Sequence, residues 1–194
     1  IEELEGFPLY DVFPNLVECR MIKHPDEVKA IKNAAVITNS AIEAMLSEMK
    51  PDANEMDMAA RFLYEGQKNF GSLMFDTIVA SGKNATVLHY IENNQKLHDG
   101  ELVLLDLGIC VNHYGADISR TYPINGKFTQ RQKDVYQEVL NTFKYINTKI
   151  APGISLAELN ELAKVSLGEA CIRLGLIDDI DDVGRYYYHS IGHS

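Results

Sequence analysis

The stretch from residue 101 to residue 123 constrains the fold most strongly, because it places two aspartates against apolar segments. An apolar run at 102–105 ends at Asp106, and after a turn-like 112–115 the chain reaches Asp117 beside a second apolar segment. Buried carboxylates are costly unless a positive group pairs with them. We expect a β-hairpin that brings the two carboxylates to neighbouring strands, where they could share one cation or bridge two. The spacing also fits a simpler interpretation, in which one aspartate caps a turn and the other faces water.

The composition narrows the class of protein. Of 194 residues, 28 are acidic and 18 basic, which gives a net charge of −10 and argues against a broad nucleic-acid-binding face. The three cysteines are far apart and lack CxxC spacing, so zinc-ribbon and thioredoxin-like sites are excluded. The chain has no apolar run of about 18 residues. Its acidic start does not have the pattern of a secretion signal. We therefore expect a soluble, cytoplasmic protein that binds neither nucleic acid nor a membrane.

Helices and strands are predicted from caps, breakers and periodicity. Helices are expected where a proline or a capping residue precedes an apolar stripe, at 25–50, 54–70, 130–150 and 155–175. Strand composition is found at 75–80, at 85–90 and at 186–194, where the chain stops as a strand begins. An acidic loop is expected at 178–182. Tyrosines 186–188 are expected to contribute packing rather than chemistry.

The order of these elements predicts an α+β fold with internal pseudo-symmetry. A long helix, a proline break and a capped helix occur twice, with breaks at Pro51 and Pro152, about 100 residues apart. Residues 1–22 contain two prolines and too few apolar side chains to close a core alone. They are interpreted as a linker from an absent N-terminal domain, or alternatively as an ordinary strand and loop. Residues 23–194 are expected to form an incomplete catalytic domain, so the chain is interpreted as a fragment.

Three histidines and one arginine are candidates for the same site. His189 and His193 differ by four positions, which places both on one side of a strand. One could bind a metal while the other meets a substrate, and His89 could converge on the aspartates. Arg120 could hold a carboxylate. Surface exposure is the simpler interpretation for each of them. Oxygen ligands suit Mg, Mn or Ca, and an added imidazole makes Mn, Co, Fe or Zn plausible. The remaining histidines lie in turn-like or capping surroundings: His24, His98 and His113.

Several ordered motifs of the chain resemble one enzyme family. They are VLHYIEN, LVLLDLG, YGADISRTYPINGKFTQRQKDVYQEVL and HSIGHS. They are similar to the metallopeptidases of the pita-bread fold, within which they look most like the Xaa-Pro aminopeptidase and Xaa-Pro dipeptidase (prolidase) branch. The resemblance extends from about Arg20 to Ser194. Methionine aminopeptidases share the fold, but they usually lack the first histidine of H-x-x-G-H and the long continuation after the second aspartate.

The resemblance implies a site with two metal ions and five ligands: two aspartates, one histidine and two glutamates. Asp106 would chelate one metal, Asp117 would bridge both, and His193 would bind the other metal and take part in catalysis. His89 would lie beside the scissile bond, where it contacts the substrate and aids proton transfer. His189 would contact the substrate. The two glutamates would lie after the H-x-x-G-H motif, beyond the end of this sequence.

The resemblance also implies the reaction. Two divalent ions, most often Mn with Co or Zn as alternatives, would activate a water that attacks the bond preceding proline. The full-length protein would be a homodimer acting on proline-containing peptides. Residues 1–194 alone, with three of the five ligands, would bind metal weakly and be nearly inactive. Three alternatives stay open: a metal-free binding protein of the same fold, a methionine-aminopeptidase-like enzyme and a creatinase-like hydrolase. The first and the last should lack the aspartate pair, which is present here.

Overall fold

The structure is a computed structural model that describes residues 10–193. The chain divides into two compact units, residues 1–126 and residues 127–194. The described part of the first unit, residues 10–126, contains three helices, which are α1 (Phe13–Met21), α2 (Pro25–Glu48) and α3 (Glu55–Lys68). It also contains six strands, which are β1 (Ser72–Leu73), β2 (Ile78–Ser81), β3 (Leu102–Leu107), β4 (Ile109–Val111), β5 (Tyr114–Gly115) and β6 (Ile118–Pro123). The second unit contains α4 (Gln130–Asn147) and α5 (Leu156–Arg173).

The two long helices of the first unit begin where their capping residues predict. At the start of α2, the Nδ1 atom of His24 accepts a hydrogen bond from the Asp26 amide at 3.4 Å, and Glu27 accepts from the His24 amide at 2.7 Å. At the start of α3, Asp57 accepts from the Asn54 amide at 3.2 Å. The predicted helices at 25–50 and 54–70 are confirmed, and each ends about two residues earlier than expected.

All strand pairs of the first unit are antiparallel, and they form two three-stranded sheets. One sheet has the order β2-β3-β6 and the other has the order β1-β4-β5. The predicted pairing of the two aspartate-bearing segments is confirmed, because β3 pairs with β6 along its whole length. The strand expected at 75–80 is present in shorter form as β2.

The strand predicted at 85–90 is wrong. Residues Gly82–Thr86 form a 3-10 helix, and His89 lies in the turn that follows. The physical reason is that side chains in and next to this segment form hydrogen bonds with α3 rather than with a neighbouring strand. Asn84 and Tyr90 both donate hydrogen bonds to the buried carboxylate of Glu55, at 3.1 and 2.6 Å. These bonds hold the segment in a compact loop rather than along a neighbouring strand.

Alternation along β3 gives its sheet two different faces. Val103, Leu105 and Leu107 are almost fully buried and pack in the core formed with α2 and α3. Leu104 lies on the opposite face, where it packs with Ile78, Ala80 and Tyr90, and the same alternation places Asp106 on that face. One side of the strand therefore stabilises the unit, and the other side carries the candidate chemistry.

A buried threonine connects α2 to the second sheet. The hydroxyl of Thr38 accepts a hydrogen bond at 3.0 Å from the amide of Ile109, the first residue of β4. Val28, which the apolar stripe of α2 predicts to be inward-facing, is 38% exposed. The stripe therefore predicts the middle of the helix better than its first turn, where Glu27 instead accepts a hydrogen bond from Tyr114 at 2.9 Å.

The second unit is built on an antiparallel pair of helices. Both predicted capping boxes are confirmed: Thr129 with Gln132 at the start of α4, and Ser155 with Glu158 at the start of α5. A hydrogen bond of 2.8 Å between the hydroxyls of Thr142 and Ser166 joins the two helices. The predicted acidic loop at 178–182 lies partly in a 3-10 helix, Ile180–Arg185.

The strand predicted at 186–194 is wrong for residues 186–193, which follow an irregular path, and Ser194 lies outside the described residues. A strand needs a hydrogen-bonded neighbour. Here Tyr187 instead packs in the core of its own unit, and its hydroxyl donates to Asn160 on α5 at 2.7 Å. The packing role expected of the tyrosines is confirmed for Tyr187.

The N-terminal segment contains α1, in which no residue is buried. Residues 1–9 lie outside the described residues, so the linker interpretation of residues 1–22 stays a prediction. Between residues 10 and 193, no helix combines the length and apolar character that crossing a bilayer requires.

Candidate metal centre and active site

The hairpin formed by β3 and β6 brings Asp106 and Asp117 together. Asp106 is the fifth residue of β3, and Asp117 immediately precedes β6. The register pairs Asp106 with Ser119, whose hydroxyl donates a hydrogen bond of 2.9 Å to the Asp106 carboxylate. An odd separation of eleven residues would place two side chains on opposite faces of one strand, and the intervening β4–β5 hairpin removes that restriction.

The two carboxyl groups are in hydrogen-bonding contact, and their proximity changes the acidity of Asp106. Burial is the largest cause that raises the pKa of the Asp106 carboxyl, and the charge and hydrogen bond of Asp117 raise it further. The hydrogen bond from Ser119 and the charge of His89 act in the opposite direction, and the net pKa stays above its ordinary value. A second acid beside a half-buried acid is unfavourable unless a proton or a cation lies between them.

His89 is the third predicted residue at this place. It lies in the turn after the 3-10 helix, with its side chain exposed and close enough to Asp106 for its charge to lower the pKa of that carboxyl. The structure therefore brings together two of the five residues predicted for the site, Asp106 and Asp117, and places His89 within range of the charge of Asp106. An exposed imidazole near a carboxylate can accept a proton from, or donate a proton to, a molecule bound there.

The other two predicted residues belong to the second unit. His189 makes a 2.8 Å contact between its Nδ1 atom and the carbonyl oxygen of Ser190, and its ring packs edge-on against Tyr187 at 4.9 Å between centroids. His193 lies four residues further on, near the end of the described chain. Among residues 10–193, no group of three or more His, Cys, Asp or Glu side chains is gathered for a metal ion. The role of His193 as a third ligand therefore stays a prediction.

The aspartate pair fits a divalent cation by its own chemistry. Two carboxylates in contact, one of them with a raised pKa, provide the negative charge that a cation neutralises. Their oxygen atoms are hard ligands of the kind that Mg, Mn and Ca prefer, and an imidazole added to the set extends the choice to Co or Zn. Ser119 supports this assignment, because a hydrogen bond from outside the ligand set orients a ligating carboxylate.

Arg120 is exposed, as the simpler interpretation of the sequence has it. The register pairs it with Leu105, so alternation assigns it to the opposite face from Asp106. Its guanidinium donates to the carbonyl oxygen of Ser119 at 2.7 Å.

Sequence reasoning missed two residues around the site. Ser119 was inside a quoted motif, and its even separation from Asp117 was the signal that could have identified it. The sequence places Glu55 only near the start of the predicted helix 54–70. The structure instead shows a fully buried carboxylate that binds the loop carrying His89. No local pattern indicates those partners, which follow Glu55 by 26 to 40 positions.

An α+β fold with paired aspartates on a β-hairpin is characteristic of the pita-bread metallopeptidases. A comparison with protein families agrees with this class, since the model of metallopeptidase family M24 matches residues 29–194. The chain belongs to metallopeptidase family M24.

Individual relatives carry more specific names. The chain is 33% identical over 193 residues to the Xaa-Pro aminopeptidase of Haemophilus influenzae, covering 95% of this chain and 45% of the relative. It is 32% identical over 177 residues to the Xaa-Pro dipeptidase of Pyrococcus horikoshii, covering 91% of this chain and 47% of the relative. The chain thus spans less than half the length of the curated relatives it matches.

Solved structures give the same result for the fold. Aminopeptidase PepP of Pseudomonas aeruginosa has a TM-score of 0.87 at 34% identity, over 93% of this chain and 43% of that one. Zn-substituted aminopeptidase P of Escherichia coli in complex with product has a TM-score of 0.89 at 30% identity, over the same two fractions. The predicted pita-bread fold is confirmed, and use of a divalent metal is supported for the family.

Proposed function

We propose that the full-length protein is a metal-dependent aminopeptidase that hydrolyses the peptide bond preceding proline and releases the N-terminal residue. The observation that carries the proposal is the contact between Asp106 on β3 and Asp117, directly before β6, in a family M24 chain. The names of the relatives supply the substrate class, since both bacterial and archaeal relatives are described as acting on Xaa-Pro. Manganese is the expected metal, with cobalt and zinc as alternatives.

Each site residue has a proposed role. Asp106, Asp117 and His193 would hold the metal ions, and Ser119 would orient the Asp106 carboxylate. When bound, divalent ions activate water near neutral pH and polarise a carbonyl group. His89, exposed beside the aspartates, would move a proton to or from the reacting peptide group or hold its oxygen through a hydrogen bond. His189 would contact the substrate.

The test is a comparison of peptides and metals with the full-length protein. Metal-stripped protein is reconstituted with Mn, Co or Zn and assayed on Xaa-Pro, Xaa-Pro-Xaa and Xaa-Ala-Xaa peptides. We expect metal-dependent cleavage of the proline peptides alone, and the first two substrates separate a dipeptidase from an aminopeptidase.

We predict that Asp106→Asn lowers kcat/KM by at least about 1000-fold, because the neutral amide is a poorer metal ligand and removes charge from the centre. Metal content measured by mass spectrometry should fall as well. Asp134→Asn is the matched control, because Asp134 is an exposed residue of α4 whose partner is Gln130. Full activity of Asp106→Asn, or a metal-free wild type that cleaves equally well, would contradict the proposal. Absence of cleavage by the metal-loaded wild type would favour a binding protein.

Homodimerisation and a cytoplasmic location are the remaining proposals for the full-length protein. Light scattering coupled to size-exclusion chromatography tests the first, and fractionation of the source cells tests the second.

A further inference from the structure

Glu55 is a buried carboxylate held only by hydrogen bonds. The residue has no exposed surface. Its Oε1 atom accepts from the Ser81 amide at 2.8 Å, the Ser81 hydroxyl at 2.6 Å and the Asn84 amide group at 3.1 Å. Its Oε2 atom accepts from the Tyr90 hydroxyl at 2.6 Å and the Gln95 amide at 3.0 Å. Within residues 10–193, no lysine or arginine forms an ion pair with it. A carboxylate buried in this way is costly unless several donors satisfy it.

The donors belong to one segment of chain and its two ends. Ser81 is the last residue of β2, Asn84 lies in the 3-10 helix, Tyr90 follows the turn, and Gln95 lies before the return to β3. Glu55 itself is the first residue of α3. Residues 82–95 contain no strand. The Glu55 carboxylate therefore binds this segment to α3 at the start, the middle and the end of the segment.

The exposed tip of this segment carries His89. Tyr90, directly after it, is 7% exposed and packs with Ile78 and Ala80 on the face of the sheet that bears Asp106. The hydroxyl of Tyr90 extends from that cluster to Glu55. The position of His89 relative to the aspartate pair thus depends on the neighbouring Tyr90, whose hydroxyl is held by the Glu55 carboxylate.

We propose that Glu55 is a positioning residue, which holds the segment 82–95 through Ser81, Asn84, Tyr90 and Gln95 so that His89 lies beside Asp106 and Asp117. This proposal rests on the proposed function for its kinetic consequence. Glu55 touches neither the aspartates nor the substrate in this account, and it acts through Tyr90 and His89. A displacement of about 1 Å at a reacting group costs up to about 100-fold in rate, so a loss of this anchor is measurable.

The kinetic test uses Glu55→Gln and Tyr90→Phe in the full-length, metal-loaded protein. Each variant should lower kcat for a Xaa-Pro peptide by about tenfold, with a smaller change in KM and with unchanged metal content. In a His89→Ala background, the same substitutions should change kcat by less than about twofold, because the group they position is gone. Tyr90→Phe keeps the ring packing, so it remains informative if Glu55→Gln does not fold.

Two controls separate positioning from general loss of stability. Glu43→Gln removes an exposed carboxylate of α2 that accepts a hydrogen bond from the Asn39 amide group. Ile42→Val weakens the core on the other face of the sheet, by about 1 kcal/mol. Neither should change kcat. The positioning role is refuted if Glu55→Gln and Tyr90→Phe, here called the anchor variants, lower kcat by the same factor in the His89→Ala background as in the wild type.

A second measurement does not depend on activity. Hydrogen–deuterium exchange followed by mass spectrometry should become faster at residues 82–95 in both anchor variants, and it should be unchanged in α5. If the wild type does not cleave proline peptides, the proposed function fails, and the exchange result alone decides whether Glu55 holds the segment. Unchanged exchange at 82–95 would overturn the anchor itself.

Discussion

Glu55 combines complete burial with a pKa below that of an ordinary glutamate. Burial is the largest single cause and raises the pKa of Glu55. The hydrogen bonds from Ser81, Tyr90 and Gln95 lower that pKa, and together they outweigh the effect of burial. The folded protein therefore keeps this side chain ionised at a pH where the unfolded chain would bind a proton. By linkage, the stabilisation is fully present above the ordinary value of 4.5 and is lost as the pH falls through the lowered value.

This linkage predicts a pH-dependent difference between the wild type and Glu55→Gln. At neutral pH the substitution should lower the free energy of unfolding by roughly 2 to 3 kcal/mol, because an amide cannot accept all five hydrogen bonds. The difference should shrink as the pH falls below 4.5. Urea denaturation of both proteins between pH 7 and pH 3.5 measures it. A difference that is constant over this range would show that the pKa of Glu55 is the same in the folded and unfolded states, which contradicts the prediction.

At the scale of a single element, the best-defined stabilising features are the helix caps. At the start of α5, the hydroxyl of Ser155 accepts from the Glu158 amide at 3.1 Å, and Glu158 accepts from the Ser155 amide at 2.8 Å. This reciprocal pair satisfies two amide groups that the helix cannot satisfy itself.

We predict that Ser155→Ala lowers the free energy of unfolding by about 1 kcal/mol, because the first turn of α5 loses its side-chain acceptor. Ser155→Asp, which retains an acceptor, should restore most of this loss. Equilibrium urea denaturation followed by circular dichroism provides the measurement. Ser40→Ala, at an exposed position within α2, is the control and should change stability by less than about 0.5 kcal/mol. Equal losses at positions 40 and 155 would argue against a specific cap.

The same local character explains which elements could be predicted from the sequence. A capping box is complete within four residues, so Ser155 and Glu158 indicate the start of α5 without any knowledge of the fold. The segment 85–90 has a strand-like composition, but its conformation depends on a bond from Tyr90 to a residue 35 positions earlier. Such a contact leaves no periodic trace in the sequence, and the strand prediction failed for that reason.

The residues of the candidate site also differ in whether a local sequence pattern connects them. Asp106 and Asp117 are separated by one compact hairpin, so their meeting follows from the local pattern of apolar runs and turns. His193 follows Asp117 by 76 positions (193 − 117), and no spacing rule connects residues so distant. The spacing of His189 and His193 indicated only that one of them could bind a metal, and the likeness of motifs to a family selected His193. The pairing of the aspartates was one of the two interpretations that the residues themselves allowed.

At the scale of the whole molecule, metal binding should couple to stability. A ligand that binds only the folded protein stabilises it by about 2.7 kcal/mol at a concentration 100 times its Kd. We predict that removing the metal from the full-length protein with a chelator lowers its Tm by about 2 to 4 °C, and that added Mn restores the original value.

The same measurement on Asp106→Asn provides the control. Its Tm should respond little to chelator or to Mn, because the aspartate pair that attracts the cation is incomplete. A shift in this variant as large as that of the wild type would place the metal elsewhere in the molecule.

The two faces of β3 have a consequence for how such a protein can change over generations. Val103, Leu105 and Leu107 are committed to the interior, while Leu104 and Asp106 belong to the surface that carries the chemistry. Replacing Asp106 leaves the core of Val103, Leu105 and Leu107 intact, so a lineage can lose or exchange this group and still inherit the same architecture. β3 thereby separates the side chains that the fold requires from the side chain that can change with the chemistry.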